Sequence, residues 1–321
     1  MPTKNIVIIY TGDDWGEAHP KTGSETTTKA LAEWGIFGLK KKINIYRAEI
    51  HWYDEAAQVF TKAWVASGGA WQKVTRTIVP NLIFDKTAGV KEHELAALKM
   101  SLAQKFRMVN HPLFRSLLSS KAAQYLCLGE FMPRSFIASN IRELKEGLSQ
   151  IKSGQGVVKP LHGSGGFGII IGTPLDILKQ EINYPVLVQE FKEGTKGIPG
   201  FSTKPRLADL RLIFSNYQLI YALSRRAKGK SLFTNIHQGA TAERVPLETI
   251  PAAAIKISRI INSRLSFFPY SLYTLDFIFD DAGRPWLIEL NTSPGIDIIY
   301  ITADLSAREK FFQDCMLSNL I

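Results

Sequence analysis

The sequence predicts an α/β N-terminal domain followed by α+β domains with mostly antiparallel sheets. Two observations predict this fold class. Over about the first 110 residues, apolar strand patterns alternate with helical patterns, as they do in α/β layers. Beyond residue 111, strand patterns follow one another with Gly-rich or Asp-Gly turns between them, which is typical of antiparallel sheets. We therefore predict three domains, over residues 1–110, 111–187 and 188–321.

The first third of the chain carries the α/β pattern, and its strands are expected to be parallel. Strand patterns occupy residues 5–11, 43–50 and 80–87, and helical patterns occupy residues 26–41 and 92–110. Further helical stretches are expected around the two later strands. The polar loop 11–25 follows the first strand, so it is a candidate for choosing the substrate.

The remainder of the chain is dominated by short strand patterns. These are the segments VVKP, GIIIG, VLVQEF, DLRLIFSN, YQLIYALSRR, YTLDFIFDD and PWLIELN. Helical patterns are confined to about residues 140–152, 174–183, 246–266 and the C-terminal tail. Mostly antiparallel pairing follows from the short turns that join these strands.

Composition narrows the class of protein. The chain has 321 residues, of which 45% are hydrophobic and 21% charged, an ordinary balance for a globular protein. A net charge of +10 suits a polyanionic partner, although solubility alone would account for it equally well. Cys127 and Cys315 belong to no disulfide or zinc pattern. With no signal peptide and no apolar run long enough for a bilayer, the sequence predicts a cytoplasmic protein without a membrane partner.

A glycine-rich segment, VVKPLHGSGGFGIIIG, spans residues 157–172 and contains Gly163, Gly165 and Gly168 in G-x-G-x-x-G spacing. A Rossmann loop requires a helix after the glycines, but the β-branched run that follows favours a strand. A Walker A loop would end in Gly-Lys-Ser/Thr, and a protein-kinase loop would have its lysine downstream. Lys159 instead precedes the glycines within an apolar run, so it needs either solvent or an anion. The segment is a structural hairpin turn or, with Lys159, a phosphate-binding flap.

Acidic and amide side chains converge on a second hairpin, SLYTLDFIFDDAGRPWLIELNTSPG, residues 271–295. If this hairpin turns around its Ala-Gly dipeptide, Asp276 and Glu289 lie directly opposite each other, and Asn291 points to the same face. Three hard oxygen ligands suit Mg²⁺. The alternative is a solvated polar face paired with Lys or Arg, and a one-residue slip would separate the carboxylates. The opposite face is predicted to carry Leu275, Phe277, Ile288 and Leu290.

With these motifs in place, residues from about 121 to 298 resemble the ATP-grasp fold and, within it, the RimK-like carboxylate–amine ligases. The resemblance rests on VVKPLHGSGGFGI, VLVQEF, the DLR of residues 209–211, ALSRRAKGKSLFTNIHQGA of residues 222–240, and LDFIF followed by WLIELNTSPG. It implies an enzyme that uses ATP to join a carboxylate and an amine as an amide or peptide bond through an acyl phosphate. The substrates would be an amino acid, a peptide or a protein tail.

The resemblance also implies roles for individual residues at the nucleotide. The residues that would hold the phosphates are Lys121, Lys159, Gly163, Ser164, Gly165, Gly166 and Gly168. The residues that would form the hinge against adenine are Gln189, Glu190 and Phe191. Asp209 would lie near the nucleotide, at the ribose.

Further roles concern the metal and the reaction. Asp276, Glu289 and Asn291 would hold one or two Mg²⁺ ions, with Mn²⁺ as a substitute. Arg225 and Asn235 would face the γ-phosphate and the intermediate, with Arg211 as a third catalytic candidate. Each residue also has a structural alternative; Arg211, for example, could simply pair with Asp209 on the same strand.

The substrate stays open. Relatives that modify proteins often carry an arginine shortly before the asparagine that matches Asn235, whereas this chain has Leu232, Phe233 and Thr234 there. His162 and His237 could touch the substrate or be ordinary loop residues. A kinase for a polyanionic small molecule and a non-catalytic ATP-binding regulator are the alternatives. A nucleic-acid partner is disfavoured because the basic residues do not interleave with aromatic ones, and a homo-oligomer is compatible with the sequence.

Overall fold

The computed structural model describes residues 3–21, 24–87, 94–163, 165–203, 205–229 and 231–320. The predicted phosphate-binding residue Ser164 lies outside them. The described residues form three sheets with helices packed on them. Short 3₁₀ turns occupy Ile50–Trp52, Gly129–Phe131, Ile236–Gln238, Leu247–Thr249 and Leu317–Asn319. None of the helices in the described part of the chain combines the length and the apolar character that crossing a membrane requires.

The N-terminal sheet is partly parallel. Its strands are β1 (Lys4–Tyr10), β2 (Ile43–Glu49), β3 (Tyr53–Asp54), β4 (Val59–Ser67), β5 (Ala70–Ile78), β6 (Leu82–Asp85) and β7 (Met108–Val109). β1 lies between β2 and β6 and is parallel to both, and β7 is parallel to β6. These pairings confirm the predicted α/β layer of parallel strands.

The expected helical stretch between the second and third predicted strands is wrong, because an antiparallel hairpin lies there instead. Its two strands, β4 and β5, pair from Ser67 and Ala70 outwards. Gly68 and Gly69 form the two-residue turn, and both have positive φ, 58° and 82°. A Gly-Gly pair supplies the left-handed backbone that tight hairpins require, and the strands are rich in Val and Thr.

Two helices belong to this sheet, α1 (Glu25–Lys40) and α2 (Ala96–Lys105). α1 confirms the predicted helix, and the Ser24 side chain caps it by accepting from the Thr27 N–H at 3.1 Å. Gly35 allows close packing, since a Cβ there would lie 2.3 Å from that of Ala66. The helix predicted to reach residue 110 ends at Lys105, because Met108–Val109 pairs with β6 as a strand.

The central sheet is antiparallel, in the order β10–β9–β11–β8. Its strands are β8 (Ser135–Ala138), β9 (Gly156–Pro160), β10 (Ile170–Gly172) and β11 (Val186–Glu190). The helices of this part of the chain are α3 (Pro112–Leu118), α4 (Lys121–Leu128), α5 (Ile141–Ser149) and α6 (Pro174–Ile177). The three-domain division remains a prediction, and its boundary after residue 187 falls within β11.

The C-terminal sheet is also antiparallel, in the order β14–β13–β12–β15–β16. Its strands are β12 (Ala208–Ser215), β13 (Gln218–Arg226), β14 (Thr241–Arg244), β15 (Leu272–Phe279) and β16 (Pro285–Asn291). The C-terminal helices are α7 (Ala252–Leu265), α8 (Asp297–Thr302) and α9 (Leu305–Met316). Each strand pattern predicted after residue 156 is therefore confirmed as a strand.

The two faces of the C-terminal sheet are packed differently. On one face, Leu212 and Leu275 form an apolar core with Ile261 of α7. On the other face, Ile213 and Leu272 belong to a core shared with the N-terminal sheet and α9. Since side chains alternate along a strand, that second face also carries the charged residues of β12 and β15, further along the same strands. The sheet thus supports a polar site beside an apolar junction.

Candidate active site

A cleft between the central and C-terminal sheets collects most of the predicted residues. It encloses about 740 Å³, including space open to solvent. The predicted residues that line it are Lys121, Lys159, Gln189, Glu190, Phe191, Asp209, Arg225, Asn235, Asp276 and Glu289. Apolar side chains from both sheets complete the walls, among them Val157, Ile171, Leu207 and Ile278. A cleft lined by both apolar and charged side chains suits a ligand that has both characters.

Two cations, Lys121 and Lys159, form what we call the lysine side of the cleft. Lys159, on β9, is 8% exposed and donates to the Gln189 side-chain oxygen at 2.7 Å and the Ile288 carbonyl at 3.2 Å. Lys121, the first residue of α4, donates to the Gly163 carbonyl at 3.0 Å and lies 3.5 Å from a Glu289 carboxylate oxygen. These hydrogen-bond acceptors are neutral, so Glu289 only partly balances two positive charges.

Burial lowers the pKa of Lys159 to about 8, although the nearby Glu289 opposes the shift. A lysine with a lowered pKa lacks sufficient negative charge around it. Because an added anion would favour the charged form, the lysine side suits phosphate oxygens.

The glycine-rich segment forms a flap that ends in β10, not in a helix, as predicted from its β-branched flank. Gly163, Gly165, Gly166 and Gly168 all have positive φ, between 71° and 113°. A Cβ at Gly166 would lie 2.8 Å from the Asn235 side-chain oxygen. The flap therefore lies directly against Asn235, and this close approach requires glycine.

Two residues of the predicted hinge, Gln189 and Glu190, make side-chain contacts within the protein. The Gln189 amide accepts from Lys159 and donates to the Ser135 hydroxyl at 3.0 Å, so it fixes the lysine rather than pointing into open space. Glu190 pairs with Lys192 at 2.8 Å, and that lysine lies 4.5 Å from the Trp286 ring centroid. Lys192 also lines the cleft; it was not predicted as a cleft residue, although it follows the hinge directly.

Four charged residues, Asp209, Arg211, Arg225 and Asp276, form what we call the arginine side. Strand register places Asp209 opposite Arg225 and Arg211 opposite Asp276. Arg225 donates to both Asp209 carboxylate oxygens, at 2.8 and 2.5 Å, and to Asp276 at 2.8 Å. Arg211 donates to both oxygens of Asp276, at 2.8 and 2.6 Å. The alternative pairing of Arg211 with Asp209 is therefore wrong.

The arginine side is buried and balances its own charge. Burial disfavours the charged form of Asp276, but Arg211 and Arg225 outweigh it and lower the pKa of this carboxyl. Burial raises the pKa of Asp209, although Arg225 and the Thr234 hydroxyl stabilise its charge. With its carboxylate occupied by Arg225 and Thr234, Asp209 is better placed to orient Arg225 than to bind a ribose. Thr234 was not predicted as a partner of Asp209, because no local pattern joins these two residues.

The hairpin predicted to bind metal has the predicted register where its candidate ligands lie. Asp276 is opposite Glu289, Asn291 is opposite Thr274, and the Asn291 amide nitrogen is 3.4 Å from an Asp276 oxygen. The placement of Ile288 on the core face is wrong. A bulge between the Asp276 and Phe277 pairs leaves Ile288 without a cross-strand partner. Ile288 lines the cleft, and Leu287 joins the core in its place.

The donor types of this hairpin suit a divalent cation, since carboxylate and amide oxygens are the hard ligands that Mg²⁺ prefers. Both Asp276 oxygens, however, accept from Arg211 and one also accepts from Arg225, so pairing with arginine, the alternative to a metal site, is present at Asp276. The Glu289 side chain is 21% exposed and faces the lysine side, so its carboxylate is accessible from the cleft. A divalent cation held through Glu289 would neutralise part of the charge of an anion bound by the lysines.

Solved structures of ATP-grasp ligases match this architecture. D-alanyl-alanine synthetase A from Vibrio cholerae matches with a TM-score of 0.63 at 13% identity, covering 100% of this chain and 99% of that one. The ATP-grasp ligase PsnB with precursor peptide PsnA2 and AMPPNP matches with a TM-score of 0.62 at 14% identity, covering 100% and 99%. The fold is thus an ATP-grasp fold, as predicted. A further PsnB structure contains Mg and ADP.

Comparison at the level of sequence identifies the family within the ATP-grasp fold. The model of the RimK-like ATP-grasp domain matches residues 123–313, and the chain belongs to this family. A probable alpha-L-glutamate ligase of Legionella pneumophila is 24% identical over 189 residues, which is 57% of this chain and 57% of that protein. Another from Thioalkalivibrio sulfidiphilus is 26% identical over 178 residues, 53% of this chain and 52% of its own. The chain spans about half the length of the curated relatives it matches.

Proposed function

We propose that the protein is an ATP-dependent carboxylate–amine ligase that forms an amide or peptide bond. The observation that carries this proposal is the convergence of Lys121 and Lys159 with Glu289 under the glycine flap. Cations that lack full negative partners, next to a hard oxygen ligand, suit the phosphates of a nucleotide and its cation. Membership of the RimK-like ATP-grasp family supports the same activity.

ATP would lie along the cleft with its base in the apolar part. Val157, Ile171, Leu207 and Ile278 provide apolar walls, and the backbone of Glu190 and Phe191 would meet the edge of adenine. The phosphates would lie between the lysine side and the flap, whose glycines let backbone N–H groups approach them. Asp276, Glu289 and Asn291 would hold one or two Mg²⁺ ions, which would neutralise phosphate charge.

The reaction would proceed through an acyl phosphate. A substrate carboxylate oxygen attacks the γ-phosphorus, and ADP leaves. An amine then attacks the acyl carbon, phosphate leaves, and the amine loses a proton as the amide forms. Arg225 would stabilise the negative charge of the acyl phosphate, and Asn235 would contact it beneath the flap. Asp209 would keep Arg225 in place. The chain's contribution is alignment and charge stabilisation, without a covalent enzyme intermediate.

The substrate class follows from the relatives rather than from the cleft. The curated relatives are named probable alpha-L-glutamate ligases, and PsnB was solved in complex with a precursor peptide. We infer that the amine is an amino acid, with glutamate the first candidate, and that the carboxylate belongs to an amino acid, a peptide or a protein tail. Consumption of ATP and the free cysteines Cys127 and Cys315 favour the cytoplasm as the location.

The decisive experiment measures ADP and inorganic phosphate together, in the presence of ATP, Mg²⁺, glutamate and a panel of peptides. A ligase releases ADP and phosphate in equal amounts, and only when both carboxylate and amine are present. ADP without phosphate would show a kinase of a hydroxyl acceptor. Nucleotide binding with no turnover on any acid–amine pair would favour a regulator.

A further inference from the structure

The strand β16, which carries Glu289 and Asn291, lies at the edge of its sheet. An edge strand has one row of backbone N–H and C=O groups without a neighbouring strand. Buried backbone groups need hydrogen-bond partners, so something else must supply them along β16. One side chain from a preceding segment does so at Leu290 of β16, and two others bond the residues that directly follow the strand.

Gln124 replaces the missing strand at Leu290. Its side-chain oxygen accepts from the Leu290 N–H at 2.9 Å, and its nitrogen donates to the Leu290 carbonyl at 2.8 Å. The same nitrogen donates to the Leu118 carbonyl at 2.8 Å, which ties the contact to the preceding helix α3. Gln124 is 2% exposed, so the loss of these bonds would leave buried polar groups without partners.

Asn110 holds the open end of the hairpin. Its amide nitrogen donates to the carbonyls of Leu272 and Thr292, and its oxygen accepts from the Leu272 N–H. Leu272 begins β15, and Thr292 follows β16 directly. Asn110 is 3% exposed and joins the two strands at the point where their own pairing ends.

Lys86 extends this support into the loop after β16. Its ammonium donates to the Pro294 carbonyl at 2.8 Å and to the Ser293 hydroxyl at 3.3 Å. Lys86 directly follows β6 of the N-terminal sheet, so this contact fixes the loop to a different sheet from the one that carries the hairpin.

The supported positions alternate with the candidate ligands. Leu290 lies between Glu289 and Asn291, and Thr292 follows Asn291. Gln124 also lies one turn after Lys121 on α4, so one helix faces Glu289 with a charge and fixes the neighbouring backbone with an amide. A shift of Leu290 or Thr292 would move the ligands relative to this lysine.

We propose that Gln124, Asn110 and Lys86 form a backbone clamp that positions Glu289 and Asn291 and thereby sets the affinity for the divalent cation. The clamp rests on the proposed function, since it presumes that these two residues bind the cation. Its members touch no reacting atom and are positioning residues. Partners outside the ligand set commonly control metal affinity because they restrict the ligands to the binding geometry.

The test measures Mn²⁺ binding in the presence of ADP by electron paramagnetic resonance of the free ion, at a temperature where every variant is folded. For Gln124→Met and Asn110→Leu we expect about ten-fold weaker Mn²⁺ binding, the lower end of the effect known for residues that support metal ligands. Lys86→Met, at the outer end of the clamp, should weaken Mn²⁺ binding by a smaller factor. ADP binding without metal should stay unchanged in all three variants.

The matched control is Asn319→Leu. Asn319 is a fully buried amide that bonds the Cys315 carbonyl at 2.6 Å and the Ser215 hydroxyl at 3.5 Å, and these bonds reach neither β16 nor the loop after it. It should lower stability without changing Mn²⁺ affinity.

Wild-type Mn²⁺ affinity in both Gln124→Met and Asn110→Leu, or equal weakening in Asn319→Leu, would overturn the clamp. Failure of the metal site itself has a different signature. If the wild type with ADP bound no Mn²⁺, or if Glu289→Ala bound it normally, the ligand assignment would fall and the clamp with it.

Discussion

The two charged sides of the cleft differ in how their charge is balanced. On the arginine side, Arg211 and Arg225 meet two aspartates at distances of 2.5 to 2.8 Å. On the lysine side, Lys121 and Lys159 donate to neutral carbonyl and amide oxygens, and Glu289 lies 3.5 Å from Lys121. The charge of the arginine side is therefore balanced within the protein, whereas the lysine side can accept an anion.

This difference separates charge that the protein balances internally from charge that a bound anion would balance. A buried ion pair that lacks one member leaves the other charge uncompensated, so the arginine side should matter greatly for stability. The lysine side holds buried positive charge in an unfavourable environment, as the lowered pKa of Lys159 indicates. Its residues should matter more for nucleotide binding than for folding.

The largest effect is expected at Glu289, the carboxylate that faces the lysine side. Glu289→Ala should reduce turnover by about 10³-fold, because it removes a shared ligand for the charge that develops on the phosphates. Steady-state release of ADP measures this change. Glu243→Ala is the control, since Glu243 is an exposed residue of the same sheet that pairs with Arg226. Wild-type turnover in Glu289→Ala would rule out the metal assignment.

The next largest effect concerns the arginine side. Arg225→Met should lower the free energy of unfolding by about 3–5 kcal/mol, because Asp209 is left buried without its cation. Urea denaturation of the protein without nucleotide measures it. Arg226→Met should cost no more than about 1 kcal/mol, as Arg226 forms only an exposed ion pair.

Lys159→Met provides the comparison between the two sides. It should cost less unfolding free energy than Arg225→Met. An equal or larger loss would contradict the division between the two sides.

For nucleotide binding, in contrast to stability, the lysine side should matter more than the arginine side. Lys159→Ala should raise the ATP concentration for half-maximal activity by about 10- to 100-fold, the loss expected for hydrogen bonds to charged groups. The exposed Lys179, which lies 3.6 Å from Asp176, provides the control Lys179→Ala. An unchanged nucleotide titration in Lys159→Ala would show that this lysine is structural.

The smallest effect is a change of protonation on the lysine side. With a pKa of about 8, Lys159 is about half protonated at pH 8 in the free protein. Bound phosphate favours the charged form, so Mg–ATP binding should take up about half a proton at pH 8 and almost none at pH 6. Calorimetry in two buffers of different ionisation enthalpy measures the uptake. Uptake of the same size in Lys159→Met would assign it to another group.

Much of the site could be predicted because its signals are local. The register of Asp276 with Glu289 follows from one short hairpin, and the flap follows from its glycines and the β-branched strand behind them. The Gly68–Gly69 pair is an equally local signal for the β4–β5 hairpin. The prediction of a helical stretch there did not take this pair into account.

The remaining features depend on contacts between distant segments. A bulge such as the one at Ile288 adds a residue without changing the apolar pattern, so alternation places that side chain on the wrong face. The pairing of Arg225 with Asp209 requires the register between β12 and β13. The contact of Gln124 with Leu290 joins residues 166 positions apart, and no local pattern encodes it.

The central claim, carboxylate activation by ATP, is tested most directly by isotope transfer. Candidate peptides and amino acids are supplied with ¹⁸O in the carboxylate, together with ATP, Mg²⁺ and glutamate, and the released phosphate is analysed by mass spectrometry. An acyl phosphate transfers one carboxylate oxygen to phosphate, so we expect one ¹⁸O per phosphate released. Amide product accompanied by unlabelled phosphate, or ADP formed without free phosphate, would contradict the account.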